Sequence, residues 1–65
     1  MKIVQALREY ALKVEFAERR LDIHPDNRFR VYERKLYNRK STLLCSTLSE
    51  DEAVAILTGV KETTP

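Results

Sequence analysis

The sequence predicts a small α+β domain in the order helix, strand, strand, helix, and three observations carry this prediction. Apolar residues recur every three or four positions from Lys2 to Leu21, which is the period of an amphipathic helix. Residues 28–37 alternate and carry aromatic and β-branched side chains, which is typical of a strand. Ser49 followed three residues later by Glu52 is the capping box that begins a second helix.

The first helix is predicted to be long, because residues 2–21 hold no glycine or proline and are rich in good helix formers. Pro25 disfavours helical geometry before it, so the helix is expected to end near residues 20–22. Its apolar stripe is longer than one hairpin can bury, which favours a homodimer through this face. The alternative is that the stripe covers the chain's own core. The residues predicted to form the dimer or partner interface are Leu7, Tyr10, Val14, Ala17 and Leu21.

The length and the lone cysteine restrict how the chain is stabilised. Sixty-five residues form one domain, predicted over residues 1–59, with a disordered tail at residues 60–65. Cys45 is the only cysteine and His24 the only histidine, so no internal disulfide and no Cys/His zinc site is expected. No cofactor is expected either. The lone thiol, with no signal-peptide pattern and no apolar span, predicts a cytoplasmic protein that does not cross a membrane.

The strand at residues 28–37 separates its side chains by parity. Phe29 and Val31 are predicted to face the core with the other odd residues, and Glu33 falls on that face although it is charged. A loop at residues 38–41 is expected to lead into a partner strand, Thr42 to Thr47, in which Cys45 is a buried structural thiol. The second helix is predicted over residues 50–58, with Gly59 as its C-terminal stop.

The opposite strand face and the hairpin loop form the best candidate for a binding site. Residues 19–40 carry eight basic and three acidic side chains, whereas residues 41–65 carry one basic and four acidic. Arginine offers paired donors to phosphate oxygens, and tyrosine can stack on a nucleobase. The alternative is a solvated face whose charges prevent aggregation. The residues predicted to bind a polyanion or a partner are Arg28, Arg30, Tyr32, Arg34, Arg39 and Lys40.

The predicted function is that of a small non-enzymatic interaction or regulatory module. It would bind a protein partner, as an inhibitor or accessory subunit, through an apolar helix stripe or an open strand edge. The alternative is nucleic-acid binding through the basic hairpin, since a two-stranded ribbon can enter the major groove. An enzyme is not expected, because Gly59 is the only glycine and no Gly-rich phosphate loop can form. A chain this short also cannot wall off a carboxylate pocket from water.

Overall fold

A computed structural model describes residues 2–61, and its elements follow the order α1, β1, β2, β3, α2. The helices are α1, Lys2–Lys13, and α2, Glu50–Thr58; the strands are β1, Ala17–Ile23, β2, Phe29–Lys35, and β3, Thr42–Thr47. The strands form one antiparallel sheet in the order β1-β2-β3, with β2 in the centre. The predicted α+β class is confirmed.

The prediction of a single helix from Lys2 to Leu21 is wrong, because α1 ends at Lys13 and residues 17–23 form strand β1. Every residue of β1 lies opposite a residue of β2, from Ala17 with Lys35 to Ile23 with Phe29. The backbone groups of β1 are therefore satisfied by β2 instead of by a helix. The added strand also stabilises the hairpin, since two strands alone are barely stable in water.

The core lies between the two helices and one face of the sheet. Its buried members come from α1, β2 and α2, and the largest that are fully buried are Val31 and Leu57; the buried members are Ala6, Tyr10, Val31, Ala53, Ile56 and Leu57. Phe29 and Cys45 are partly buried and pack against this cluster. The predicted parity of β2 is confirmed, because the odd residues Phe29 and Val31 face the helices.

The predicted interface residues of the first helix are divided between three parts of the fold. Tyr10 is buried, and Leu7 and Leu21 pack against the chain's own core. Val14 and Ala17 are half-buried on either side of the α1–β1 connection. The continuous helical stripe that favoured a dimer is therefore absent, and Leu7, Tyr10 and Leu21 serve the core of their own chain.

Helix α2 begins and ends where the sequence predicts. The Ser49 Oγ atom accepts a hydrogen bond from the Glu52 backbone N–H, which satisfies one of the free donors of the first turn. Gly59 adopts the left-handed conformation with φ of 79°, and its N–H donates to the Ile56 carbonyl at 3.2 Å.

Of the predicted disordered tail at residues 60–65, positions 62–65 lie outside the described residues. Between residues 2 and 61, neither helix has the length and apolar composition needed to cross a membrane.

Candidate interaction surfaces

The face of the sheet opposite the helices, here called the open face, carries two of the four arginines predicted as a binding site, Arg30 and Arg34. Even-numbered residues of β1 and β2 project from it, because successive side chains of a strand alternate between faces. The pairing of the two strands sets Glu18 opposite Arg34 and Asp22 opposite Arg30. The charged and aromatic members of the open face are Glu18, Arg20, Asp22, Arg30, Tyr32 and Arg34.

The arginines of the open face are engaged by carboxylates of the same chain. Arg34 lies 2.6 Å from Glu18, between Nη2 and Oε1. Arg30 lies 3.0 Å from Asp26, and Arg20 lies 3.2 Å from Asp22. Because the sequence pattern assigned residues 18–22 to a helix, it missed that β1 brings Glu18 and Asp22 onto this face. The surface predicted to be basic is therefore one of mixed charge.

Tyr32, predicted as a stacking residue, has one face of its ring covered. The guanidinium of Arg20 lies over that ring, 5.1 Å from its centroid. A shallow groove of about 350 Å³ runs beside the pair and is lined by Glu18, Arg20, Tyr32, Arg34, Arg39 and Ser41. A nucleobase could stack on the covered side of Tyr32 only after Arg20 had moved away.

Arg28 is exposed in the turn between β1 and β2, away from the groove. Its backbone N–H donates to Asp26 at 3.0 Å. This hydrogen bond lowers the pKa of the Asp26 carboxyl, and Arg30 lowers it further. The carboxylate of Asp26 therefore stays charged close to Arg30, where it would repel a phosphate group.

A second surface, here called the hairpin end, lies where the β2–β3 loop meets the start of β1. It consists of Phe16, Leu36, Tyr37, Arg39 and Lys40. The Leu36 N–H donates to the Phe16 carbonyl at 3.0 Å, which holds the two segments together. The rings of Phe16 and Tyr37 stack with centroids 6.5 Å apart and an interplanar angle of 25°. Phe16, Leu36 and Tyr37 are nevertheless 58%, 51% and 89% exposed.

The hairpin end is also positively charged. Arg39 and Lys40 are exposed, as is Lys35 at the end of β2. In the part of the chain that the structure describes, none of these three side chains forms an ion pair. The loop itself is a compact turn, since the Asn38 Oδ1 atom accepts from the Lys40 N–H at 3.0 Å. The predicted residues Arg39 and Lys40 thus share a loop with Tyr37, whose stack on Phe16 the sequence pattern did not predict.

Glu33, the charged residue predicted on the core side of β2, belongs to an internal network. It accepts hydrogen bonds from the Tyr10 hydroxyl at 3.2 Å and from the Arg19 Nε atom at 2.9 Å. Arg19 also donates to the Ile56 carbonyl and lies 4.8 Å from the centroid of the Tyr10 ring. Burial raises the pKa of Tyr10, and the Glu33 carboxylate adds to this rise. The network connects α1, the sheet and the last turn of α2.

The thiol of Cys45 lies on the core side of β3 and is half-buried. Burial raises the pKa of this thiol, so it is less reactive than an exposed cysteine. Among residues 2–61, no cluster of three histidine, cysteine, aspartate or glutamate side chains is arranged to hold a metal ion.

No protein-family model, no curated protein and no solved structure matches this chain significantly.

Proposed function

We propose that this protein is a small non-enzymatic module that binds a protein partner through its hairpin end, as an accessory subunit or inhibitor. The observation that supports the proposal is the stack of Phe16 on Tyr37 in solvent, with Leu36 beside it. Clusters of large exposed apolar side chains commonly mark interaction sites. Aromatic and arginine side chains also supply most of the binding energy at protein interfaces.

The apolar area available is sufficient for a useful affinity. An aromatic side chain buries roughly 150–250 Å² when it is fully covered, and apolar burial contributes ~25 cal/mol per Å². Covering the exposed parts of the Phe16 and Tyr37 rings would therefore contribute on the order of 5 kcal/mol before the entropic costs of association. A contribution of this size favours a reversible complex.

The charge of the hairpin end defines the chemistry of the partner. Lys35, Arg39 and Lys40 lie at the end of β2 and in the loop that carries Tyr37, and they are free of carboxylate partners within residues 2–61. A partner segment that places Asp or Glu around a Leu or Phe side chain complements both properties. Nucleic-acid binding is less well supported, because carboxylates stand next to the arginines of the open face. A cytoplasmic location is part of the proposal, since Cys45 is the only cysteine of the chain.

The test is a fluorescence-anisotropy titration with a labelled acidic peptide that carries Leu and Phe between Asp and Glu residues. A peptide in which every acidic residue is replaced by Lys is the charge control, and mixed-sequence single-stranded and duplex oligonucleotides form a separate arm. Tyr37→Ser is expected to weaken binding of the acidic peptide about tenfold or more, a change of ~1.4 kcal/mol. Leu48→Ser is the matched control, because Leu48 is also exposed but follows β3 at the other end of the sheet.

Two results would overturn the proposal. If Tyr37→Ser bound the acidic peptide as tightly as the unmodified protein, the hairpin end would not be the site. If the oligonucleotides bound more tightly than the peptide, with steep weakening by salt and loss on Arg34→Ala, the polyanion alternative would replace it.

A further inference from the structure

The two edges of the sheet differ in their protection against pairing with another strand. The edge strand β1 has the sequence AERRLDI and carries four charged side chains, whereas β3 has the sequence TLLCST and carries none. Charged residues are a common means by which proteins prevent edge-to-edge pairing. Strand β3 therefore offers its outer backbone N–H and C=O groups without this protection.

One irregularity modifies the β3 edge. Val31 pairs with Cys45 and Tyr32 with Leu43, so Leu44 forms a bulge. A bulge increases the local twist of a strand and does not by itself satisfy the outer backbone groups. Leu43, beside the bulge, projects from the open face and is half exposed. This edge combines unpaired polar backbone with an apolar side chain, which suits a strand added from another molecule.

The charges on either side of β3 favour a second copy of this chain as the molecule that adds the strand. Arg39 and Lys40 precede the strand, and Glu50, Asp51 and Glu52 follow it. In an antiparallel pair, the start of each strand meets the end of the other. Full overlap of two β3 strands places Thr42 opposite Thr47, so Arg39 of one copy and Glu50 of the second copy lie beyond the same end of the paired strands. Asp51 and Glu52 pair with Lys2 and Lys61 of their own chain, so Glu50 is the acidic residue through which the chain complements itself at both ends of the edge.

We infer that two copies of this chain pair antiparallel through β3 to form one continuous six-stranded sheet. Such an interface is symmetric, because each copy contributes the same surface. The helices of both copies then lie on one face of the sheet, and the two hairpin ends lie at opposite ends. The dimer uses β3 in place of the helical stripe that the sequence pattern suggested.

Concentration-dependent amide hydrogen exchange tests this inference, with sedimentation equilibrium on the same samples. Between about 10 μM and about 1 mM protein, the outward amides of β3 are expected to gain protection as dimer forms. The outward amides of β1 are the internal control and should exchange at an unchanged rate. A monomer throughout this range would overturn the inference. A dimer with protection confined to α1 or the hairpin end would overturn it as well.

A charge exchange tests the register. Arg39→Glu with Lys40→Glu makes both ends of β3 acidic, whereas Glu50→Lys with Asp51→Lys makes both ends basic. Each variant alone is expected to dimerise about tenfold more weakly, and an equimolar mixture should recover the affinity as a heterodimer. If the mixture associated no better than its components, the register would be wrong.

Three controls separate this interface from other effects. Arg8→Glu and Glu15→Lys change exposed charges away from β3 and should leave dimerisation unchanged. Unfolding curves of each variant identify any loss of fold, in particular where Asp51→Lys removes the ion pair of Asp51 with Lys2. Tyr37→Ser should also retain the dimer, and loss of the dimer in this variant would show that the copies meet at the hairpin end instead.

Discussion

The two faces of the sheet are built from the same strands, yet their ion pairs differ in how much they can contribute to the stability of the fold. Arg19 with Glu33 on the helix side and Arg34 with Glu18 on the open face both join β1 to β2. The side chains of the first pair are 19% and 24% exposed, and those of the second are 39% and 56% exposed. Water screens the second pair more strongly than the first, so the first pair is expected to contribute more to the stability of the fold.

The two sides of the sheet should differ most in the loss of unfolding free energy when one leucine on each side is replaced by alanine. Leu57 is fully buried under the sheet, whereas Leu43 is 50% exposed on the open face. Leu57→Ala should lower the free energy of unfolding by about 2–5 kcal/mol, because it leaves a cavity in the core. Leu43→Ala should cost about 1 kcal/mol or less. Urea unfolding monitored by circular dichroism measures both, and equal losses would mean that the core is not where we place it.

Removal of one carboxylate from each ion pair compares the faces directly. Glu33→Ala leaves the Tyr10 hydroxyl and the Arg19 guanidinium without their acceptor in a half-buried site, at an expected cost of about 1–3 kcal/mol. Glu18→Ala removes an exposed partner of Arg34, and its cost should be about 0.5 kcal/mol. The same urea titrations give both values. A loss from Glu18→Ala as large as that from Glu33→Ala would show that the open face is as structured as the core.

The Tyr10 network also predicts an effect of alkaline pH. Burial first, and then the Glu33 carboxylate, raise the pKa of Tyr10 above its ordinary value of 10.0. The phenol therefore ionises more readily in the unfolded chain, so this stabilisation is complete below pH ~10 and is lost as the pH rises through the folded-state pKa. Urea midpoints from pH ~9 to pH ~11.5 should fall more for the unmodified protein than for Tyr10→Phe. A constant difference between the two proteins over this range would contradict the prediction.

The smallest expected effect on stability belongs to the hairpin end. Tyr37 is almost fully exposed, so Tyr37→Ser should change the free energy of unfolding by no more than about 0.5 kcal/mol. Phe16→Ser should cost more, about 1–2 kcal/mol, because the Phe16 side chain is 58% exposed and its ring stacks on Tyr37. Thermal unfolding checks both variants. A loss above about 2 kcal/mol would mean that this aromatic pair supports the fold and is not reserved for binding.

Helix α2 and strand β1 show which elements a local sequence pattern can predict and which it cannot. Helix α2 depends on signals within a few residues, namely the Ser49 cap, the acidic first turn and Gly59, and its predicted bounds match the structure. Strand β1 has no such local signal. Ala17 and Leu21 are four residues apart and fit a helical stripe, while they equally fit one face of a strand. Pairing with β2 stabilises the strand conformation of residues 17–23. The sequence of residues 17–23 alone does not indicate that pairing.

The candidate sites likewise contain residues that the sequence predicted and residues that only the strand pairing brought together. The sequence identified Arg39 and Lys40 as a charged hairpin loop, and the structure places them at an exposed tip. It could not identify Phe16 as part of that tip, because Phe16 is 21 positions away from Tyr37 in the chain. Likewise, Glu18 and Asp22 reach the arginines of β2 only through the register of β1. The pairing of segments distant in sequence thus created the hairpin end and neutralised positive charge on the open face.

By itself, the sequence determined the α+β class, the faces of β2, the ends of α2 and the segregation of charge along the chain, since each depends on residues close together. Only the tertiary structure decided that α1 ends at Lys13, that β1 joins the sheet and that Glu33 is shared by Tyr10 and Arg19. The physical reason is that a backbone segment takes the conformation in which its hydrogen bonds and apolar side chains are satisfied together. For residues 17–23, that condition is met by β2 and the core, which are distant in sequence.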